Sequence, residues 1–363
     1  KRTDSRRLHF LTMELYLNSY GSALRKKDDM FEIFVNEKKI KISPQKISSI
    51  VISNAVQISS DAIQLAMDYN IDVVMLDNYG NPYARVWFPR IGSTVLIRRR
   101  QLEMLSDASG LDFIKRWICL KIMNQYRFVK TLISKRDWVN DEDKKRIELM
   151  RNYAISIFGS NGSLDDLTPI IMGLEGSASK VYFSLLSMMI PGQWHFEGRS
   201  SRPAKDAFNA FLNYAYGILY SKTERALIIA GLDPYIGLLH CDNYNKKSFV
   251  FDFIEAYRIL ADESVFYLFS RGKCKPEYLE QVHNGFNLST EGKKFFAPYF
   301  LENLDQIIRY RNKNRKRIEM IQTDAHAFAN FLIGKKESYL ESSVATRFEN
   351  FINPKLAFDK EEE

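Results

Sequence analysis

Glu175, His240, Asp252 and Glu255 are the side chains of this sequence best placed to do chemistry. Asp252 and Glu255 lie in Lys247 to Leu260, where Phe249, Val250, Phe251, Phe253, Ile254, Tyr257 and Leu260 leave little polar face for a surface helix. Such a segment should be buried, and the two carboxylates, three residues apart, fall on one helix face. A buried carboxylate needs a cation. That cation is either an ion-pair partner such as Arg258 or a divalent metal, and the helix alone leaves both open. His240 closes the apolar run from Gly231 and precedes a polar, lysine-bearing loop with Lys246 and Lys247. It is either a satisfied core residue or a group at the rim of a site. Glu175 stands between Gly173, Gly176 and Ala178, small flanks that permit close approach of a second helix or of a ligand. Carboxylate oxygens with one imidazole suit Mn²⁺ or Mg²⁺ better than structural zinc.

The elements that must position these groups are helical. Thr168-Pro169 reads as a helix cap followed by proline in the first helical position, ahead of Glu175. Asp206, Asn209, Asn213, Tyr216 and Tyr220 form a polar-aromatic stripe beside the apolar stripe of Phe208, Phe211, Leu212, Ala215 and Leu219. The polar stripe serves either phosphate binding or a buried network between helices. Beyond Arg98 the periodicity is helical to about residue 348, with no convincing strand. Before it, Glu14 to Leu17, Met30 to Val35, Ile40 to Ile42, Ile47 to Ile52, Ile71 to Leu76 and Tyr83 to Phe88 read as strands. Asn36 to Lys39 looks like a hairpin connection and Asn78 to Pro82 a turn. Ser60 or Asp61 is placed to cap a short helix carrying Ile63, Leu65 and Met67. The predicted fold class is α+β. A leader or fusion linker spans 1–12, a β-rich domain 13–95, a larger all-α catalytic and DNA-binding domain 96–348, and an acidic tail 349–363. The chain opens on Lys1, so the leader is a cloning remnant or the end of an upstream domain.

Composition narrows the class. A net charge of +8 favours polyanionic partners. Arg98, Arg99 and Arg100, at the expected domain boundary, and the cluster Arg309, Arg311, Lys313, Arg315, Lys316 and Arg317 are either DNA contacts or solvated helix faces. Cys119, Cys241 and Cys274 are too few and too scattered for a disulfide framework or a cysteine-rich zinc site, which points to a reducing cytoplasm. No apolar run is long enough to span a membrane, and none is expected as a partner.

Four motifs in order carry a family resemblance: Gly-Leu-Glu175-Gly with Lys180 and Tyr182, Arg202-Pro203 with Asp206, Asn209 and Asn213, the Gly231 to His240 run, and Phe251 to Arg258. Together they resemble the CRISPR-associated integrases, the larger of the two universal proteins of spacer acquisition, over about Met13 to Phe348. The resemblance implies a Mn²⁺ or Mg²⁺ site made by Glu175, His240 and Glu255, with Asp252 beside them as a further catalytic group. Lys180, Arg202, Asn209, Asn213, Lys246 and Lys247 join Arg98 to Arg100 as expected DNA contacts. Two departures stand out: the family often has aspartate at the position of Glu255, and many members carry arginine at that of Lys180.

The implied activity is metal-dependent insertion of short DNA fragments into a CRISPR array, by attack of a 3′-hydroxyl on the repeat. Water in place of that hydroxyl would give endonuclease activity. The implied partners are double-stranded DNA (protospacer and repeat), a second copy of the chain through the β-rich domain, and a small ferredoxin-like protein. A fused or associated reverse transcriptase is compatible with the resemblance, as is a prokaryotic cytoplasmic location. The competing class is a non-catalytic DNA-binding scaffold with the same fold. An ion-paired or structural-metal helical protein and a hydrolase of small phosphate esters are further alternatives, the last opposed by the basic runs.

Overall fold

The computed structural model describes residues 13–36, 38–53, 55–69, 71–76, 82–86, 94–106, 108–134, 140–201, 203–239 and 247–353. The 1–12 leader, the Asn78–Asn81 part of the expected turn, Arg202, His240, Cys241, Lys246 and residues 354–363 of the expected tail lie outside them. Backbone contacts divide the chain into two units, Lys1–Ile91 and Gly92–Glu363.

Among the described residues, the first unit holds two four-stranded sheets, one α-helix and a 3-10 turn (Pro44–Lys46). Strands β1 (Met13–Leu17), β5 (Ile47–Ser53) and β7 (Asp72–Leu76) run parallel, with β8 (Pro82–Val86) antiparallel at the edge, in the order β1-β5-β7-β8. The second sheet has the order β4-β3-β2-β6, from β2 (Ala23–Lys27), β3 (Met30–Val35), β4 (Lys38–Ile42) and β6 (Gln57–Ile58). The expected β3–β4 hairpin pairs Phe31 with Ile42 through Val35 with Lys38, and Asn36 takes the positive φ of 47° that its turn demands. Leu24, Phe31, Ile50 and Val73 are fully buried between the layers. Helix α1 (Ser60–Asp68) is capped one residue earlier than expected: Ser59, in extended backbone, accepts the Ala62 N–H. Its buried face is Ala62, Leu65 and Ala66, so Ile63 and Met67 lie at its edges.

The second unit is mainly helical: α2 (Thr94–Glu103), α3 (Ala108–Ile133), α4 (Asp141–Gly159), α5 (Leu164–Met188) and α6 (Ala207–Ala230) come first. Then follow α7 (Ser248–Ile254), a 3-10 turn (Glu255–Tyr257), α8 (Ile259–Ser270), α9 (Thr290–Leu304), α10 (Glu319–Leu332) and α11 (Ser342–Ile352). Helix α3 runs through the middle, where Trp117 meets the rings of Phe249, Phe253 and Phe328 edge-on. No described helix is long and apolar enough to cross a membrane.

Several expectations change here. The unit is not free of strands: β9 (Leu279–Val282) pairs with β10 (Gly285–Leu288), and β11 (Ile307–Tyr310) with β12 (Lys313–Lys316). The basic cluster is this second hairpin rather than a helix face, turned by Arg311 and Asn312 at φ of 48° and 58°. Arg98 to Arg100 lie inside α2, not in a linker. Helix α5 starts at Leu164 with Ser163 as its cap, so Pro169 sits inside the helix rather than at its first position. The expected acidic tail also begins too early, because α11 continues to Ile352 with Phe348, Phe351 and Ile352 buried.

Candidate active site

Glu175 and Glu255, eighty residues apart in sequence, meet at one ammonium group. Lys121 Nζ of α3 donates to Glu175 Oε1 of α5 at 2.6 Å and forms an ion pair with Glu255 Oε2 at 2.7 Å. The two carboxylate oxygens therefore converge on a single positively charged point. Glu255 is 3% exposed, and its other oxygen accepts from Arg258 Nε at 2.9 Å and Nη2 at 2.8 Å. Burial works against the Glu255 charge, but Arg258 and Lys121 outweigh it and hold the carboxyl down at about 2. Burial likewise opposes the Lys121 ammonium, and Glu255 and Glu175 reverse that effect. Glu175 is the more open carboxylate and also accepts from Ser179 Oγ at 2.7 Å. A Cβ placed on Gly173 or Gly176 would meet nothing, so these small flanks leave an open face beside Glu175 rather than a tight helix contact.

Helix α3 ties these segments together, since Asn124 Nδ2, one turn beyond Lys121, donates to the Ala256 carbonyl at 2.9 Å. On the other side of the turn Asp324 accepts from Tyr257 Oη at 2.9 Å and binds the β11–β12 hairpin through Tyr310 and Arg311.

Asp252 does not join the two glutamates. Its Oδ2 accepts the backbone N–H of Leu238 at 2.5 Å and of Leu239 at 3.2 Å. The segment it grips is the irregular strap that leads to His240. Buried Gln101 of α2 holds the same strap, accepting from the Asp233 N–H and donating to the Asp233 and Ile236 carbonyls. Gly237 is required there, because a Cβ would collide with Ser248 Cβ and come within 2.7 Å of its carbonyl carbon. Asp252 thus fixes the backbone of Leu238 and Leu239, which precede His240 in the chain; His240, the third expected ligand, lies outside the described residues.

The polar-aromatic stripe of α6 forms a hydrogen-bonded network, buried at Asn209 and Tyr216 and half-buried at Asp206, Asn213 and Tyr220. Asp206 caps the helix and, with the Gly198 carbonyl, takes both amide protons of Asn209. Asn209 Oδ1 accepts from Ser200 N and Arg199, and Asn213 holds Arg199 and the Ser201 carbonyl. Both asparagines are thereby engaged within the protein rather than offered to phosphate. Further along, the Arg258 guanidinium lies 4.8 Å from the Tyr216 ring centre and 5.7 Å from that of Tyr220. Tyr216 Oη donates to buried Asp262 at 2.6 Å, and burial pushes that carboxyl up to about 6. The stripe therefore serves the site indirectly, by holding the arginine that holds Glu255.

The other expected DNA contacts divide. Lys180, Arg99 and Arg100 are exposed, although Arg100 pairs with Glu103. Arg98 lies 3.6 Å from Asp233, and Lys247 binds Glu224 at 2.9 Å, so these two are spent within the fold. In the hairpin, Arg309 and Lys313 are exposed, while Arg311, Lys316 and Arg317 pair with Asp324, Asp305 and Glu263. Arg202 and Lys246 lie outside the described residues.

Among the described residues no three His, Cys, Asp or Glu side chains are placed to hold a metal. The donors that are described nonetheless fit one: two carboxylate oxygens from separate elements already surround a cation at hydrogen-bond distance, and the strap to His240 is fixed beside the helix that delivers Glu255.

The family profile described as "CRISPR associated protein Cas1" matches residues 15–302. The chain is 32% identical over 339 residues to "CRISPR-associated endonuclease Cas1 1" of Archaeoglobus fulgidus, covering 89% of this chain and 97% of that protein. It is 29% identical over 280 residues to "CRISPR-associated protein Cas1 3" of Methanobrevibacter ruminantium, covering 76% and 84%. Solved structures share the fold, two of them as follows. A casposase bound to integration product gives a TM-score of 0.75 at 22% identity, covering 94% of this chain and 93% of that one. A Cas1 protein from Thermotoga maritima gives 0.71 at 20% identity, covering 89% and 97%. By the profile match and by these relatives, the chain belongs to the Cas1 family of CRISPR-associated proteins.

Proposed function

We propose that this chain is a metal-dependent DNA endonuclease and integrase that inserts short fragments into a CRISPR array by 3′-hydroxyl attack on the repeat. The observation that carries this reading is the convergence of Glu175 and Glu255 on one cation. Glu175, Glu255 and His240 would hold Mn²⁺ or Mg²⁺. Such an ion supplies a polarised phosphate, an activated hydroxyl or water, and a stabilised leaving oxygen. The chain's own contribution is placement: Arg258 and Asn124 hold the Glu255 turn, and Asp252, Gln101 and Gly237 hold the strap to His240. Among the described residues of the expected DNA contacts and the basic hairpin, Lys180, Arg99, Arg309 and Lys313 are exposed and can meet phosphate.

Endonuclease names among the relatives and an integration product in a structural neighbour support the reaction class. A solved Cas6-RT-Cas1–Cas2 complex that shares this fold supports a Cas2-type second protein and an associated RT protein as partners. Self-association through the β-rich unit and a prokaryotic cytoplasmic location complete the proposal.

The test is integration of a short duplex into a supercoiled repeat-bearing plasmid, with and without chelator. Activity should require Mn²⁺ or Mg²⁺ and disappear in Glu175→Ala. The same Lys121 contact would also suit a purely ion-paired, non-catalytic site. DNA binding without metal-dependent product in the wild type would select that second reading.

A further inference from the structure

We infer that Lys121 is a tethered counter-ion that occupies the cation position between Glu175 and Glu255 and gives way when a divalent metal binds. The inference rests on the metal reading of the site and adds a residue to it. Three observations carry it. Lys121 is 9% exposed, with Trp117 and Ile118 one turn before it on α3 and Asn124 and Gln125 one turn after, so its ammonium is desolvated and depends on the carboxylates it meets. Its Nζ stands 2.6 Å and 2.7 Å from carboxylate oxygens on two different elements, the geometry of one cation shared by two ligands. The two glutamates differ in what else neutralises them. Glu255 keeps Arg258 on its second oxygen, whereas among the described residues Glu175 has only the hydroxyl of Ser179 besides the ammonium.

A bare pair of carboxylates this close would repel and spread the elements that carry them. Lys121 keeps them together before metal arrives, so the ligand geometry is present in the metal-free protein. A divalent ion placed between the same oxygens must repel the ammonium. On its flexible four-carbon stem the ammonium can then withdraw along α3 while Arg258 remains on Glu255. Metal affinity is thereby lowered by the work of displacing an internal cation. Lys121 is a positioning residue in this scheme, acting through the two carboxylates.

Mn²⁺ binding to the full-length protein without DNA, followed by calorimetry and by loss of the free-ion paramagnetic resonance signal, tests this directly. Lys121→Met keeps the stem and removes the charge. It should melt at lower temperature without metal, bind Mn²⁺ about ten-fold or more tightly than wild type, and gain more melting temperature from Mn²⁺ than wild type does. Lys121→Gln, which keeps a hydrogen-bonding end, should show the same gain should the methionine chain fail to fold. Wild-type binding with equal or weaker binding in the folded variants overturns the displacement while leaving the metal site standing. Failure of both variants to fold even at saturating Mn²⁺ makes Lys121 a fixed part of the core and also overturns it. Absence of Mn²⁺ binding in every chain removes the metal reading itself, and this inference with it.

Discussion

Asp252 and Leu238 are joined by a 2.5 Å hydrogen bond from the Leu238 amide to the Asp252 carboxylate, two residues before His240. A helix side chain that accepts two consecutive backbone amides acts on the strap as a fixed clamp, because both N–H groups are buried and have lost water. The carboxylate thus takes two of its hydrogen-bond partners from the backbone. Asp252→Ala would orphan both amides and should cost about 2–5 kcal/mol in denaturant unfolding. Asp252→Asn keeps one acceptor and should cost less. In both, faster hydrogen exchange at Leu238 and Leu239 is expected, together with Mn²⁺ affinity reduced roughly 10–100-fold as the support of His240 loosens. Unchanged exchange at those two amides would refute the clamp.

Glu175 is the carboxylate whose loss the fold should tolerate. It is part-exposed beside open glycines, and removing it leaves Lys121 still paired with Glu255. Glu175→Gln should abolish strand transfer while moving the melting temperature by no more than a few degrees, about 1 kcal/mol. A folded variant with wild-type turnover would put the reaction elsewhere in the molecule.

Glu255 should behave oppositely, as a structural and a chemical group together. Its replacement by glutamine leaves Arg258 and Lys121 buried without their shared counter-charge, at a cost of about 3–5 kcal/mol. Its acid dependence follows from a folded value of about 2 against an ordinary 4.5. Above 4.5 the group is ionised in both states and its stabilisation is complete. Between 4.5 and about 2 only the unfolded chain takes up the proton, so that stabilisation drains away as pH falls. Unfolding curves across this range should be steeper for wild type than for Glu255→Gln, and parallel curves would deny the pairing.

The sequence carried the division into a strand-rich and a helical part because its periodicity changes from two to helical near Arg98, and local pattern is what periodicity reports. It also carried Glu175 and Glu255, since a carboxylate among small or aromatic residues advertises a need for a partner. The partner itself was missed. Lys121 sits alone in Trp117-Ile-Cys-Leu-Lys-Ile-Met123, and a solitary cation in an apolar stretch of helix was the available sign that buried carboxylates would face it. The role of Asp252 was not legible, because backbone amides leave no trace in side-chain spacing. The hairpin at Ile307 to Lys316 was hidden by its charges. Its pairing with Asp324 of α10 and with Asp305 at the end of α9 is a tertiary fact that overrides the solvated-helix pattern.

DNA contacts should follow exposure rather than mere charge. Lys180→Ala, Arg99→Ala and Lys313→Ala should each lower the salt dependence of duplex affinity by about 0.9 for every phosphate the side chain neutralises, with no change in melting temperature. Asn209→Ala should do the reverse, since its amide is buried in hydrogen bonds to Asp206, Gly198 and Ser200. Binding measured from low to moderate salt separates the two kinds of residue. An unchanged slope in all three cation variants would make these side chains ordinary solvated charges.

Asp262 gives a pH dependence of opposite sign to that of Glu255. It is fully buried, Tyr216 donates to it, and burial raises its carboxyl to about 6 from an ordinary 3.8. Above 6 the charge is present in both states, and the folded protein bears the full cost of burying it. As pH falls from 6 towards 3.8 the folded state takes up a proton that the unfolded state does not, so stability rises. Below 3.8 both are neutral and this contribution is constant. Asp262→Asn is uncharged throughout and can still accept from Tyr216, so it should be more stable than wild type at about pH 8 by about 1–3 kcal/mol. That advantage should shrink by roughly half as the pH is lowered to about 5, before Glu255 begins to titrate. Chemical unfolding of the two proteins at intervals of about one pH unit across this range gives the comparison. A difference that stays constant throughout would show that Asp262 remains ionised in the folded protein, held by charges that Tyr216 and burial do not account for.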